Sequence, residues 1–216
     1  MIKLVIFDLD GTLVDTIEGI RNSGNILLKE YGKNGFDRKY YESIIGRGAK
    51  GLIESMILDS DMDVKYADEM LAKFIGLYTA DCLTGNTEYE GMHEIVKKLA
   101  DKGVRLAINT NKPQIMAEQI ISDFYDSGTF FAVKGACSDY PHKPSPAGAK
   151  LILDELNINS NDCVYVGDSV VDIKTASNAN LTSIGVTWGY GKSIGVENAD
   201  YVADDAETVL ELISKL

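Results

Sequence analysis

The chain has little that could cross-link it, interrupt it or hold it in a membrane. Cysteine occurs three times in 216 residues, at Cys82, Cys137 and Cys163, an odd number without Cys-x-x-Cys spacing. Neither a disulfide framework nor a zinc cluster is expected, and the thiols read as free in a reducing cytoplasm. Histidine is scarcer still: His93 and His142 stand far apart without metal-ligand spacing, which argues against a nitrogen-rich metal site and places both in surface or loop positions. Four prolines are too few for a proline-rich linker. No apolar run approaches the ~20 residues of a membrane span, and the N-terminal run is broken by Asp8 and Asp10 before it reaches the length of a signal segment. Positive charge is in deficit, 21 Lys and Arg against 33 Asp and Glu for a net charge of −12. That balance repels polyanions and excludes a general nucleic-acid or anionic-membrane partner. The expected location is cytoplasmic, and an anionic substrate would need cations placed locally.

What is present is an α/β pattern. The composition is 45% hydrophobic, and the length suits one large domain or two modest ones at the usual ~100–200 residues each. Residues 1–12 read MIKLVIFDLDGT: an apolar run suited to a strand of a parallel sheet covered on both faces, ending in two carboxylates one residue apart. The carboxyl edge of an open α/β sheet is where ligands bind, so the pair reads as chemistry more than as an acidic turn.

From Thr16 to about Leu83 the spacing is helical. Ile17, Ile20, Ile26, Leu27 and Leu28 mark a helix ending near Tyr31 and Gly32; Leu52, Ile53, Met56 and Ile57 mark a second, and Ala67 to Tyr78 a third. Past Gly85 the period changes. Met92, Ile95, Val96, Leu99 and Ala100 share a helix face that Gly103 stops. Strands are then predicted at 104–108, 130–133, 163–166, 182–186 and 201–203, with helices between them and a last helix at 206–215. Such alternation predicts a doubly wound parallel sheet built by right-handed crossovers, interrupted after its first strand by an inserted all-α cap. The expected domains are an α/β core of residues 1–15 and 86–216 and a helical cap of residues 16–85.

Four polar groups fall at predicted strand ends. Asp8 and Asp10 repel when both are charged, so one tends to be held by a metal while the other keeps a proton, which supplies a nucleophile and an acid. The stretch 109–112, Asn-Thr-Asn-Lys, follows the strand ending at Ile108; there a hydroxyl and free N–H groups at a helix start can hold a phosphate oxygen, and a plain helix cap at Thr110 is the competing reading. Lys143, stiffened by Pro144 and Pro146 at the start of a helix, would hold positive charge beside carboxylates and a phosphate. Asp168 follows the strand 164–166 and Gly167, with Asp172 one helical turn on. Mg²⁺ takes oxygen ligands, usually one or two carboxylates with waters and substrate phosphate, and Asp8, Asp168 and a backbone carbonyl would suit it.

Taken in order, Asp8-x-Asp10-Gly-Thr12, Thr110-Asn111, Lys143-Pro144 and Gly167-Asp168-x-x-x-Asp172 resemble the four motifs of the haloacid dehalogenase superfamily over nearly the whole chain. The helical insertion is similar to the cap of the subfamily that contains phosphoglycolate phosphatase and β-phosphoglucomutase. The resemblance implies that Asp8 attacks phosphorus, that Asp10 is general acid and then base, and that Thr110, Asn111 and Lys143 bind the phosphoryl group. It also implies Mg²⁺ on Asp8, the Asp10 backbone carbonyl and Asp168, with Asp172 in support. Dehalogenating members lack the second acid of the first motif, so phosphate chemistry is expected here. The expected activity is a Mg²⁺-dependent phosphatase acting on a small, phosphoglycolate-like monoester through an aspartyl-phosphate intermediate.

A phosphosugar mutase and an inorganic pyrophosphatase of the same superfamily stand behind that reading. The mutase branch carries a histidine where this chain has Ile20. A phosphonate-cleaving member needs a cap lysine, and Lys29 and Lys50 read better as solvated. From another class, a phosphoacceptor signalling module also sets acids, a threonine and a lysine at strand ends, without such a cap. Residues Ile45 to Gly48 look like the glycine-bearing specificity loop of these caps, where Arg47 reads equally as a fork onto a substrate carboxylate or second phosphate and as an exposed turn residue. Gly185 to Gly191 is similar to a loop of phosphoglycolate-phosphatase-like members. Tyr40 and Tyr41 read as cap packing. The expected partner is a small phosphate ester, with neither nucleic acid nor membrane, on a monomer or homodimer.

Overall fold

The computed structural model describes residues 1–81, 84–191 and 195–216. The chain opens with β1 (Leu4–Phe7) and β2 (Val14–Asp15), then runs through four helices, α1 (Ile17–Glu30), α2 (Arg38–Ile44), α3 (Gly48–Asp59) and α4 (Ala67–Ala80). After β3 (Thr87–Glu88) come α5 (Met92–Asp101), β4 (Arg105–Pro113), α6 (Gln114–Phe124), β5 (Ala132–Ala136) and α7 (Ala147–Leu156). The last stretch holds β6 (Cys163–Gly167), α8 (Val170–Ala179), β7 (Thr182–Val186), β8 (Tyr201–Ala203) and α9 (Ala206–Lys215).

Six strands form one parallel sheet in the order β5-β4-β1-β6-β7-β8. Successive side chains of a strand point to opposite faces, and β1 divides accordingly. Leu4 and Ile6 enter a cluster with α7 and α8 through Ile152 and Ala176, while Val5 and Phe7 enter a larger one with α5, α6 and α9. Both faces of the strand are dry, which is why its sequence is an unbroken apolar run. The expected α/β class, a doubly wound parallel sheet with a helical cap, is what the chain adopts.

The larger cluster continues without a break into α1 to α4 through Leu27, Leu28, Tyr41, Met56 and Met70. The two chain passages between the sheet and these helices pair with each other: β2 and β3 are antiparallel, Val14 opposite Glu88 and Asp15 opposite Thr87. This ribbon and the short helix α2 are not marked by periodicity. Helix α2 buries only Tyr41 and begins at an Asp37 cap that accepts from the Tyr40 N–H; Arg38 at its start pairs with Asp15 and Glu42. Helix α5 ends as expected before Gly103, whose φ is +79°.

Two strand ends differ from expectation. Strand β4 does not stop at Ile108 but runs to Pro113, because β5 offers partners past that point: Asn109 lies opposite Lys134 and Pro113 opposite Ala136, with an irregularity in between. β5 itself is at 132–136, not 130–133. Thr110 is therefore a strand residue and not a helix cap, since α6 starts only at Gln114. Lys143 likewise lies in a turn ahead of α7, not at its first residues. Cys137 is partly buried and Cys163 buried, both as free thiols; Cys82 lies outside the described residues. His93 is exposed on α5 and His142 exposed in the turn before Lys143. Among the described residues no helix is long and apolar enough to cross a membrane.

Candidate active site

The register of the sheet gathers the polar groups. Phe7 lies opposite Ile108 on one side and Val166 on the other, so Asp8, just past β1, stands level with Asn109 of β4 and Gly167 of β6 toward the carboxyl edge of the sheet. A cavity of about 160 Å³ opens there, with Asp8, Asp10, Thr110, Lys112, Lys143 and Asp168 on the sheet side. The helical side presents Ile20, Ile45, Ala49, Leu52 and Phe74, and a single acid, Glu42. Asp172, fully buried behind Asp168 and Lys143, completes the group.

The charges are dense and dry. The Lys143 ammonium lies 2.6 Å from Asp172 Oδ1 and 2.9 Å from Asp8 Oδ1. The aligned hydrogen bond goes to Asp172, which leaves Asp8 Oδ1 buried without a well-directed donor. Burial, then the Asp172 charge, pushes the Asp8 carboxyl up to about 7 against the pull of Lys143. Burial and the charges of Asp172 and Asp8 push Asp168 up to about 8, although the Gly191 N–H and Lys143 oppose the rise. Burial also works against the charge on Lys143, but Asp172 and Asp8 outweigh it and hold the lysine well above its ordinary value.

Local folding explains how each side chain is held. Ser169 caps α8 through a reciprocal pair: its hydroxyl accepts from the Asp172 N–H at 3.3 Å, and Asp172 Oδ2 accepts from the Ser169 N–H at 3.1 Å. Asp172 thus spends one oxygen on its own helix and the other on Lys143. Gly11 has φ +86°, and a Cβ there would come within 2.6 Å of Asp168 Oδ2, so only glycine lets the first loop pass this close to Asp168. Asn111, expected at the phosphate, lines the same cavity, and its side chain is engaged with the Lys143 turn. Its Oδ1 accepts from the Lys143 N–H at 2.8 Å, and its Nδ2 donates to the carbonyls of Lys143 and of Gly46 in the helical block. The geometry makes it a clamp on the Lys143 turn. Gly46 and Gly48 line the cavity in left-handed conformations. Arg47 between them is exposed and is not part of the lining.

Two residues escaped the sequence reading. Lys112 is buried, with its ammonium 3.0 and 3.3 Å from the two oxygens of Asp10. Burial opposes its charge, but Asp10 and Tyr78 more than compensate and raise it above the ordinary lysine value. The only available signal was its place two residues after Thr110, which matters only once β4 is known to continue. Tyr190 lines the cavity from the 187–191 loop; its hydroxyl accepts from the Thr16 and Ile17 N–H groups and donates to Asp15 Oδ1 at 2.8 Å. In the same loop the Trp188 indole donates to the Thr12 carbonyl.

Ligand atoms of Asp8, Asp168 and Asp172 lie within 4.8 Å of one another. The set is all carboxylate, without imidazole or thiolate, and suits a hard divalent cation. The raised Asp8 and Asp168 carboxyls and the unaligned Asp8 oxygen fit such a charge, because a cation there would relieve the repulsion that burial now enforces.

Fold and site together define an α/β enzyme core with an acid- and lysine-lined cleft under a helical cover. Residues 5–186 match the family model described as haloacid dehalogenase-like hydrolase. The phosphoglycolate phosphatase of Colwellia psychrerythraea is 34% identical over 193 residues, spanning 87% of this chain and 85% of that protein. That of Rhodospirillum rubrum is 31% identical over 199 residues, spanning 89% and 82%. Among solved structures, one described as a predicted phosphoglycolate phosphatase from Haemophilus somnus superposes with a TM-score of 0.89 at 25% identity, covering 98% of this chain and 97% of that one. The chain belongs to the haloacid dehalogenase-like hydrolases.

Proposed function

We propose that the chain is a Mg²⁺-dependent phosphatase that hydrolyses a small, phosphoglycolate-like monoester through a phosphorylated Asp8. As an enzyme it is a phosphoric monoester hydrolase, in keeping with its family and the relatives named above. The observation that carries the mechanism is that Asp8, Thr110, Lys143 and Asp168, from four separate stretches of sequence, line one cavity.

In the first half of the reaction an Asp8 oxygen bonds to phosphorus, the ester P–O bond breaks, and Asp10 gives its proton to the departing oxygen. In the second half, water attacks phosphorus, the Asp8–phosphorus bond breaks, and the Asp10 carboxylate takes the water's proton. Thr110 and Lys143 hold the equatorial oxygens, and Asn111 keeps Lys143 in place by gripping its turn. Mg²⁺ held by Asp8, Asp168 and the Asp10 backbone carbonyl, with Asp172 behind, would supply positive charge to the transferring phosphoryl group. Splitting one displacement into two spares the site from holding water and leaving group at once.

The cavity face contributed by the helices chooses the leaving group. Its apolar walls suit a small ester, and Ile20 stands where a mutase of this family would carry a histidine. Arg47, exposed between the lining residues Gly46 and Gly48 but outside the lining itself, would need to turn inward to serve as the specificity residue for an anionic leaving group. A panel of phosphate esters assayed for phosphate release with and without Mg²⁺ tests the reading. Many turnovers, dependent on Mg²⁺ and lost in Asp8→Asn, support it; a single stoichiometric phosphorylation would instead identify a phosphoacceptor module.

A further inference from the structure

Lys112 is a buried cation of the cavity that the mechanism above leaves idle. A buried ammonium is costly unless it is paired, and this one is paired on two sides. Its Nζ contacts both oxygens of Asp10, at 3.0 and 3.3 Å, and lies 4.4 Å from the ring centroid of Tyr78. Tyr78 is itself fully buried, on α4 of the helical block, and its hydroxyl accepts from Asn86 Nδ2 at 3.0 Å. On the other side of Asp10, Thr16 Oγ1 donates to Oδ1 at 2.6 Å. A single donor on one oxygen leaves a carboxyl free to turn about that bond, whereas a cation spanning both oxygens fixes its plane. The second buried lysine, Lys143, serves Asp8 and Asp172, so the two cations pair with three of the four acids, while Asp168 accepts from the Thr12 hydroxyl and the Gly191 N–H.

We infer that Lys112, seated on the ring of Tyr78, is the positioning residue that orients the Asp10 carboxyl toward the departing oxygen of the substrate. The inference rests on the phosphatase reading above, with Asp10 as proton donor. It also ties that donor to the helical block, because the seat of the lysine is a side chain of α4.

The test uses leaving groups that differ in their need for a proton. An alkyl phosphate expels a poor leaving group and depends on Asp10; p-nitrophenyl phosphate expels a stable phenolate and does not. Lys112→Met should lower kcat/KM for an alkyl phosphate by ~30-fold or more, within the range of general acid catalysis, and by less than ~3-fold for p-nitrophenyl phosphate. Lys112→Arg, which keeps the cation but replaces a point charge by a planar fork, should restore part of the alkyl activity. Equal losses on both ester classes would overturn the inference, and so would failure of the arginine variant to rescue. A loss that tracks a carboxylate on the substrate, seen with phosphoglycolate but absent with ethyl phosphate, would overturn it in favour of a substrate clamp. If Lys112→Met does not fold, as judged by its melting profile, Tyr78→Leu in the otherwise intact chain reads the same contrast, and an unchanged alkyl-to-aryl ratio there counts against the proposal. Asp8→Asn separates the levels: turnover surviving in that variant removes the phosphatase mechanism, while its loss alongside an unchanged ratio in the Lys112 variants removes only the role of Lys112.

Discussion

The two walls of the cavity are built from opposite materials. The sheet edge is a tight set of buried acids and lysines in which almost every polar atom has a partner, whereas the helical wall is Ile20, Ile45, Ala49, Leu52 and Phe74 with Glu42 as its only acid. Charges this deep hold one arrangement because breaking any pair leaves its partner exposed to the full cost of burial. Apolar surfaces tolerate exchange of residues of similar volume. The sheet edge is therefore fit to keep one chemistry, and the helical wall to change the substrate.

Substitutions should show that asymmetry. Asp8→Asn, on the sheet side, should lower kcat by a factor on the order of 10³ or more while the melting temperature stays close to wild type; phosphate release within tenfold of the parent would break the assignment. Next comes the metal. With Asp8 and Asp168 raised from an ordinary 3.8 to about 7 and about 8, the cation-free folded chain binds more protons than the unfolded chain across that interval. Their contribution to stability is therefore intact below about pH 4 and falls as pH rises through about 8. Cation binding displaces those protons, so the gain in melting temperature on adding Mg²⁺ should be larger at pH 8 than at pH 5, and equal gains would remove the carboxylate pair from the metal site.

On the helical wall, Ile20→Ala should cost about 2–5 kcal/mol in denaturant unfolding, shift KM between substrates of different leaving-group size, and leave kcat for p-nitrophenyl phosphate within ~3-fold. Arg47→Ala should have the smallest effect, a rise of roughly 3-fold in KM for a carboxylate-bearing ester with kcat unchanged. The same rise with a neutral leaving group would end its role in specificity.

The same contrast governs what could be read from the sequence. β1 and its two aspartates were legible because a strand buried on both faces must be apolar throughout, so the first carboxylates announce its end. The motif around Asp168 was legible for the same reason, because β6 is buried throughout, whereas Lys143 was legible from the prolines that follow it. Lys112 was not, because polar residues at 109–112 hid the continuation of β4, and a lysine gives no local sign of burial when its partners are Asp10 and Tyr78. Asn111 was read as a phosphate contact from its type and place; it does line the cavity, but that its amide also grips the Lys143 turn was not legible, because the partner is 32 positions away. Tyr190 and Thr16 meet across 174 positions, a contact that no periodicity reports. The helical wall was visible only as helices, since which faces point into the cleft depends on how α1, α3 and α4 cross.

The position of β1 carries a consequence for biosynthesis. The strand lies between β4 and β6, so its two neighbours are made only when residues 105–108 and then 163–166 have been translated. A growing chain emerging from the ribosome keeps one side of this first strand open as a bare template for pairing until most of the polypeptide exists. Truncated products ending before β6 should therefore be prone to aggregate as well as inactive, because β1 must wait for a partner strand made far later in the chain.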